Sequence, residues 1–353
     1  MRKLISFLLL ILLLVTLSSC TTLKEYKKLS IHFSTEMEIT IYSNNNIDAE
    51  NALKYGFDLF KKYNNLTDRY NDYSGVKGIY YINHHPNEEI EIDLDLFKLL
   101  EYSIEKSKLI VDDLNNPYFT IGIGKLSDIY HPMFIDYEGL EIPDGVFDKD
   151  TIKSASFDTD VSKIILSDVN YTVMIPDTLS LDLGGIAKGY AVEKLAEYYD
   201  EHDIKYIINA GASNIITNYG NPKRVNNEFI IGLKDPNTKI DETAKIYGTL
   251  KVPKNKAIVT SGDYQKYFIY ENKRYSHIIS PSTHLPADTD IRSITLVVDS
   301  NSYGDILSTT LFIMGSEKAI EYISNTRNVE GIIYLNSGEI FVSDGLKNSF
   351  KKI

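Results

Sequence analysis

A chain of 353 residues, 43% hydrophobic and 24% charged, carries enough apolar material to bury a core and is not a disordered polymer. Its formal net charge of −12 excludes general nucleic-acid binding, which depends on Lys and Arg contacts to phosphates. One cysteine, Cys20, leaves no intramolecular disulfide to form.

The chain starts with "MRKLISFLLLILLLVTLSSC", a short basic segment, an apolar run from Leu4 to Leu17 and small residues before Cys20. The run is too short for a permanent membrane span and has the layout of a secretory leader. Its end, "LSSC", resembles a bacterial lipobox, where cleavage leaves the cysteine as the lipid-bearing N-terminus. The expectation is a signal peptide over 1–19, then a lipidated Cys20 with a polar tether over 20–30. A diacylated Cys20 would hold the protein on the extracytoplasmic face of the cell membrane.

Beyond the tether, "HFSTEMEITIYSN" alternates like a strand, and "AENALKYGFDLFKKYNNLTDRY" carries apolar residues at helical spacing. "DLDLFKLLEYSIEKSKLIVD" reads as a second helix, with Asp93 or Asp95 as its cap. "NPYFTIGIGKLSDIYHPMF" is expected to be a glycine-punctuated loop, and residues 137–160 are polar and turn-rich. "YTVMIPDTLSLDL" is strand-like and is followed by a helix from Ile186 to Tyr199. Strands and hairpins then run from "KYIINAGASNIITNYG" to "RSITLVVD". The helix "YGDILSTTLFIMG" ends at Gly315, "EKAIEYISN" is another helix, and "GIIYLNSGEIFVSD" is a closing hairpin. Helices dominate the first half and strands the second, which makes the fold class α+β, with mixed sheets flanked by helices. No linker divides residues 31–353, so they form one large unit.

The common nucleotide motifs are absent. "GIGKLS" has Phe119 where a phosphate loop requires its first glycine, and no Ser or Thr directly follows Lys125. Three other segments carry chemistry. In "DLGGIAKG", Asp182 precedes two glycines at a strand-to-helix turn, where free N–H groups favour anions and Lys188 adds a positive charge. Gly189 within the following helix points to close approach of a ligand to backbone. In "YGDILSTTLF", Asp305, Ser308 and Thr309 share a helix face and offer hard oxygen donors suited to Mg²⁺. In "SGDYQKYFIYENKRYSHIISP", two strands return Asp263 and His277 to one end of a hairpin, where His277 is a candidate general base.

Together with "INAGASN", "IIGLKDP" and "RSITLVV", these segments resemble in order and spacing the ApbE-like flavin transferases, the FAD:protein FMN transferases. The resemblance spans about residue 31 to the end. It implies an enzyme that cleaves the pyrophosphate of FAD with Mg²⁺. FMN would then be attached by a phosphoester to a Ser or Thr of a partner protein, with release of AMP. By position it implies that the Gly185 carbonyl, Asp305 and Thr309 hold the metal. Asp182 and Lys188 would contact FAD, His277 would activate the acceptor hydroxyl, and Ile279 would line the flavin or adenine pocket. Tyr70 and Tyr118 fall where the family contacts FAD, and Met37 takes the place of a family Met-Gly-Thr. The chain departs from the family pattern at "MEI", "NPYFT", "HIISP" and "NAGAS". An FAD pyrophosphatase with water as acceptor is the alternative of the same chemistry. A non-enzymatic flavin-binding lipoprotein is the other, against which the joint presence of Asp305, Thr309 and Lys188 weighs.

Overall fold

The alternation in "TEMEITIYS" becomes a strand whose odd residues Met37, Ile39 and Ile41 are buried against helices. In a computed structural model, which describes residues 23–223, 226, 228–238 and 243–353, this strand belongs to an eight-stranded sheet. The leader and Cys20 lie outside the described residues. In chain order the first elements are β1 (Lys24–His32), β2 (Thr35–Ser43), α1 (Asn46–Thr67), α2 (Ile79–His84) and β3 (Ile90–Glu91). Next come α3 (Leu94–Ser107), α4 (Gly124–Asp136), α5 (Lys149–Ser154), β4 (Ile165–Ser167), β5 (Thr172–Met174) and α6 (Ala187–Glu201). The strand-rich half holds β6 (Lys205–Ala210), β7 (Asn214–Thr217), β8 (Phe229–Lys234), β9 (Ile246–Val252) and β10 (Ala257–Gly262). It continues through β11 (Tyr267–Tyr270), β12 (Lys273–Ser276), β13 (Ile291–Val298), α7 (Asn301–Met314) and α8 (Ser316–Asn325). The last strands are β14 (Glu330–Leu335), β15 (Ile340–Val342) and β16 (Phe350–Lys352).

The large sheet has the order β1-β2-β6-β7-β10-β13-β14-β15, with every neighbouring pair antiparallel. One face is covered by helices. Met37, Ile39 and Ile208 pack with Leu53 and Phe60 of α1 and Leu195 of α6, while Val259, Ile294 and Leu296 pack with Leu307 and Leu311 of α7. On the other face Ile215, Ile258 and Val297 meet Leu233, Tyr247 and Leu250 of a three-stranded sheet, β16-β9-β8. A third cluster joins α4 and α5 to the β11–β12 hairpin through Tyr130, Phe147, Phe268 and Tyr275. The fold is α+β, as expected.

Two boundaries differ from the sequence reading. The tether expected over 20–30 is largely strand, because β1 pairs with β2 from Lys24↔Ser43 to His32↔Thr35. As an edge strand, β1 keeps Leu29 and Ile31 exposed, so its sequence lacks the alternation that burial imposes on β2. The expected loop "NPYFTIGIGKLSDIYHPMF" contains α4, with Pro132 inside it. Its Leu126, Tyr130, Met133 and Phe134 form a buried stripe, a helical period masked locally by glycine and proline. Gly124 at its start has no room for a side chain, because a Cβ there would sit 2.5 Å from Ser180 Oγ and 2.7 Å from the Ser180 backbone.

Gly189 has a different explanation from the one its position suggested. It sits where α6 crosses α7, and an added Cβ would lie 2.5 Å from the Asn301 carbonyl oxygen and 2.6 Å from Asp305 Oδ2. Helix–helix approach requires this glycine, not ligand contact. In an open helix Ala is preferred over Gly by about 1 kcal/mol. Here Gly189→Ala is expected to lower stability by roughly 1–3 kcal/mol, the usual cost of overpacking. A melting curve of the variant checks the sign.

Candidate active site

The loops at one end of the large sheet surround a cavity of about 1120 Å³. Its lining includes Tyr70, Tyr118, Asp182, Gly185, Lys188, His277, Ile279, Asp305 and Thr309. Nine residues singled out from scattered sequence blocks thus meet in one place. Met37 does not join them. Its side chain is fully buried where β2 pairs with β6, opposite Ala210, while Thr35 of the same strand reaches the cavity.

Asp305 is the centre of the polar wall. It lies on α7, buried to 8% exposure. Its Oδ2 accepts the Gly189 N–H at 2.7 Å, and its Oδ1 accepts Asn214 Nδ2–H at 2.8 Å. The first of these caps α6, whose own N-terminal residue Ile186 offers no side-chain cap. Lys188 donates to Asn214 Oδ1 at 2.5 Å and stays 3.9 Å from Asp305 Oδ1. Burial pushes the Asp305 carboxyl above the usual carboxylate range, against the pull of Lys188, Asn214 and the Gly189 amide. Desolvation therefore outweighs the donors present, and added positive charge at this carboxylate would be favourable.

Other oxygen-bearing residues, Gly185, Ser261 and Thr309, line the same cavity. The Gly189 amide is spent on Asp305, and no hydrogen bond reaches the Gly185 carbonyl among the described residues. Ser261 Oγ on β10 lies 2.8 Å from Ser308 Oγ and 3.4 Å from Thr309 Oγ1, so a third hydroxyl accompanies the two read from the helix. One carboxylate with hydroxyls and a free carbonyl suits Mg²⁺, which takes oxygen ligands and keeps several waters. No cluster of three or more His, Cys, Asp or Glu side chains is present among the described residues.

The glycine turn is held from below. Asp182 Oδ1 accepts the Gly184 N–H at 2.7 Å, and its Oδ2 lies 3.8 Å from Arg69 Nε. Buried Arg69 also donates to Leu181 O at 3.1 Å and makes a two-pronged contact with Asp128 at 2.7 and 3.1 Å. It thereby ties the end of α1 to α4 and to the turn. Beside it Tyr70 stacks on His131 with centroids 3.8 Å apart and planes at 13°, forming an aromatic shelf at the cavity. Tyr118 receives a hydrogen bond from Lys318 at 3.4 Å. Arg69, Asn214 and Ser261 escaped the sequence reading because their partners are distant in the chain. Asn214 and Ser261 do lie inside the segments "INAGASN" and "SGDYQKYFIYENKRYSHIISP".

The hairpin β11–β12 does bring Asp263 and His277 to one end, but with different roles. Asp263 pairs with Arg274 at 3.3 Å and Arg292 at 3.1 Å, outside the cavity lining. Those two arginines both donate to the Pro236 carbonyl and fasten the hairpin to the end of β8. His277 faces the cavity. Its Nδ1 lies 3.3 Å from the Lys266 carbonyl, which can only accept, so Nδ1 carries the proton and Nε2 keeps its lone pair. Burial first, then the Lys266 and Lys188 ammonium groups, hold His277 down at about 4. The ring is neutral at physiological pH and able to accept a proton.

This architecture matches known proteins. The ApbE family model matches residues 33–333, and the chain belongs to that family. FAD:protein FMN transferase from Klebsiella pneumoniae is 27% identical, over 84% of this chain and 86% of its own length. The Treponema pallidum protein of the same name is 23% identical, over 96% and 92% of the two chains. Among solved structures, the ApbE protein of Thermotoga maritima superposes with a TM-score of 0.74 at 25% identity, covering 91% of this chain and 98% of its own. The Vibrio cholerae flavin transferase ApbE shares the fold with a TM-score of 0.71 at 21% identity, over 93% and 99% of the chains.

The state of His277 has a pH consequence. The ordinary histidine value of 6.5 applies to the unfolded chain, and the folded value is about 4. Below 6.5 the unfolded state binds the extra proton more readily. The stability contributed by neutral His277 is therefore full above that pH and is lost as pH falls towards 4. A His277→Asn variant is expected to lose less stability than wild type between pH 7 and pH 4.5. Denaturant midpoints at both pH values measure the difference.

Proposed function

We propose that this protein is an Mg²⁺-dependent FAD:protein FMN transferase, anchored outside the cytoplasmic membrane through lipidated Cys20. The observation that carries the reading is the joint placement of Lys188, Asp305, Thr309 and neutral His277 on one large cavity. Family membership and the names of the relatives agree with it. At about 1120 Å³ the cavity slightly exceeds the usual range for small-molecule sites, roughly 300–1,000 Å³, and has room for a dinucleotide.

Asp305, Thr309 and the Gly185 carbonyl would hold Mg²⁺, with Ser261 next to them. When bound, the ion neutralises pyrophosphate charge and orients its oxygens. Lys188, held at the N-terminal turn of α6, places a second positive charge by the phosphates. Tyr70 on its His131 shelf, Tyr118 and Ile279 supply apolar and aromatic surface for the rings of FAD. His277 Nε2 takes the proton of an incoming Ser or Thr hydroxyl. That oxygen bonds to the FMN-side phosphorus, the bond to the bridging oxygen breaks, and AMP leaves. With water as the acceptor the same steps release FMN and AMP.

Incubation with FAD, Mg²⁺ and a co-encoded candidate acceptor, followed by mass analysis, tests the reading. A covalent FMN adduct on a Ser or Thr supports transfer, whereas free FMN alone with AMP would establish the pyrophosphatase. Turnover that survives EDTA would remove the metal. Asp305→Ala is expected to lower turnover by orders of magnitude, since a metal's charge neutralisation contributes several kcal/mol to the barrier. Thr309→Val should be milder, because water can replace a neutral ligand. His277→Ala is expected to slow transfer about 10²- to 10⁴-fold, the usual contribution of a general base, with FAD affinity within a few-fold of wild type.

The anchor has its own check. No helix among the described residues is long and apolar enough to cross a membrane. Cys20→Ala is expected to move the protein from the membrane fraction to the soluble one. A processed variant still bound to membranes would overturn the anchor.

A further inference from the structure

We infer that Asn214 is a positioning residue, a neutral spacer that keeps Lys188 and Asp305 apart so that each remains available to its own ligand. The inference rests on the proposed metal-assisted transfer and adds to it a residue that neither touches the reacting atoms nor binds metal.

Asn214 is the first residue of β7 and is completely buried. Its two amide atoms do opposite things. Oδ1 accepts from Lys188 Nζ at 2.5 Å, and Nδ2 donates to Asp305 Oδ1 at 2.8 Å. The orientation is fixed by chemistry, since an ammonium only donates and a carboxylate only accepts. Ser213 Oγ adds a second donor to Oδ1 at 3.2 Å. The cation and the carboxylate are thereby bridged through the amide and held as a loose ion pair, with 3.9 Å between Nζ and Oδ1 and no direct hydrogen bond between them.

Opposite charges at that distance in a buried site attract strongly. Without the bridge, Lys188 has a long flexible stem and nothing to stop it closing on Asp305. A direct pair would neutralise the one carboxylate available to a divalent cation and withdraw the ammonium from the phosphates. Only an amide of this length serves both partners. A carboxylate at the position would still accept from Lys188 but would face Asp305 with like charge, and a serine hydroxyl is too short to span the two. Gly189 N–H fixes the far oxygen of Asp305 at 2.7 Å, so the carboxylate itself stays in place and Lys188 is the partner free to move.

The test is a double-mutant cycle read by metal binding, with Mn²⁺ as the probe and no FAD present. Free Mn²⁺ is followed by electron paramagnetic resonance in wild type, Asn214→Ala, Lys188→Met and the double variant, with melting temperatures alongside. Asn214→Ala is expected to weaken Mn²⁺ binding about tenfold, a common size of coupling between touching groups. In the Lys188→Met background the same change should be nearly silent, because no ammonium is left to close on Asp305. Wild-type affinity in Asn214→Ala would overturn the spacer role. So would an equal loss in both backgrounds, which would mean that Asn214 merely orients Asp305. Wild type that binds no Mn²⁺ would instead take down the metal reading, and this inference with it. Should Asn214→Ala fail to fold, Asn214→Ser replaces it in the cycle, since its hydroxyl keeps polarity without spanning the gap.

Discussion

The contact between the Asp305 carboxylate and the Gly189 amide ties the site to the fold. A carboxylate buried without partners costs several kcal/mol. Here it is only partly offset by two hydrogen bonds, by the positive end of α6 and by a nearby lysine. In return Asp305 supplies the cap that α6 lacks in its own sequence. The two helices can meet this closely only because position 189 has no side chain. One interaction therefore sets the spacing of α6 and α7, begins a helix and presents an acid to the cavity.

Around that contact the walls are made by elements with little in common. The glycine turn rests on Arg69, which is buried and reaches Leu181, Asp128 and Asp182 from the end of α1. The hairpin that carries His277 is fastened by Asp263, Arg274 and Arg292 to the end of β8. Both are ion clusters that hold the loops around the cavity, and the Arg69 cluster reaches its wall at Asp182. They act as struts for backbone that must stay open to a ligand, and their charges are consumed internally.

The chemistry of the wall also divides by charge. Burial first, then Lys266 and Lys188, keeps the His277 ring neutral, while the buried acid on α7 lacks enough positive charge to compensate its desolvation even with Lys188 at 3.9 Å. A base with an available lone pair and an acid short of a cation are complementary needs for phosphoryl transfer. In the proposed reaction the first would serve an incoming hydroxyl and the second a metal-bound pyrophosphate.

Local chemistry was legible in the sequence wherever a pattern repeats along a single element. Asp305 and Thr309 one turn apart on a helix, the alternation of β2, the glycine turn before α6 and the hairpin ahead of His277 all stand in the structure as read. Patterns broken by one residue were not legible. The α4 stripe is interrupted by Pro132, and β1 mixes polar and exposed apolar residues because a sheet edge imposes no alternation. Tertiary structure alone decided the partners. Nothing within ten residues of Gly189 announces Asn301 and Asp305, and nothing near Met37 shows that it lies inside the core while Thr35, on the same face at the start of the strand, reaches the cavity. Asn214 sits 26 residues from Lys188 and 91 from Asp305. A sequence records which side chains can donate, accept or carry charge, but the distances that make them a site exist only once sheet and helices have packed.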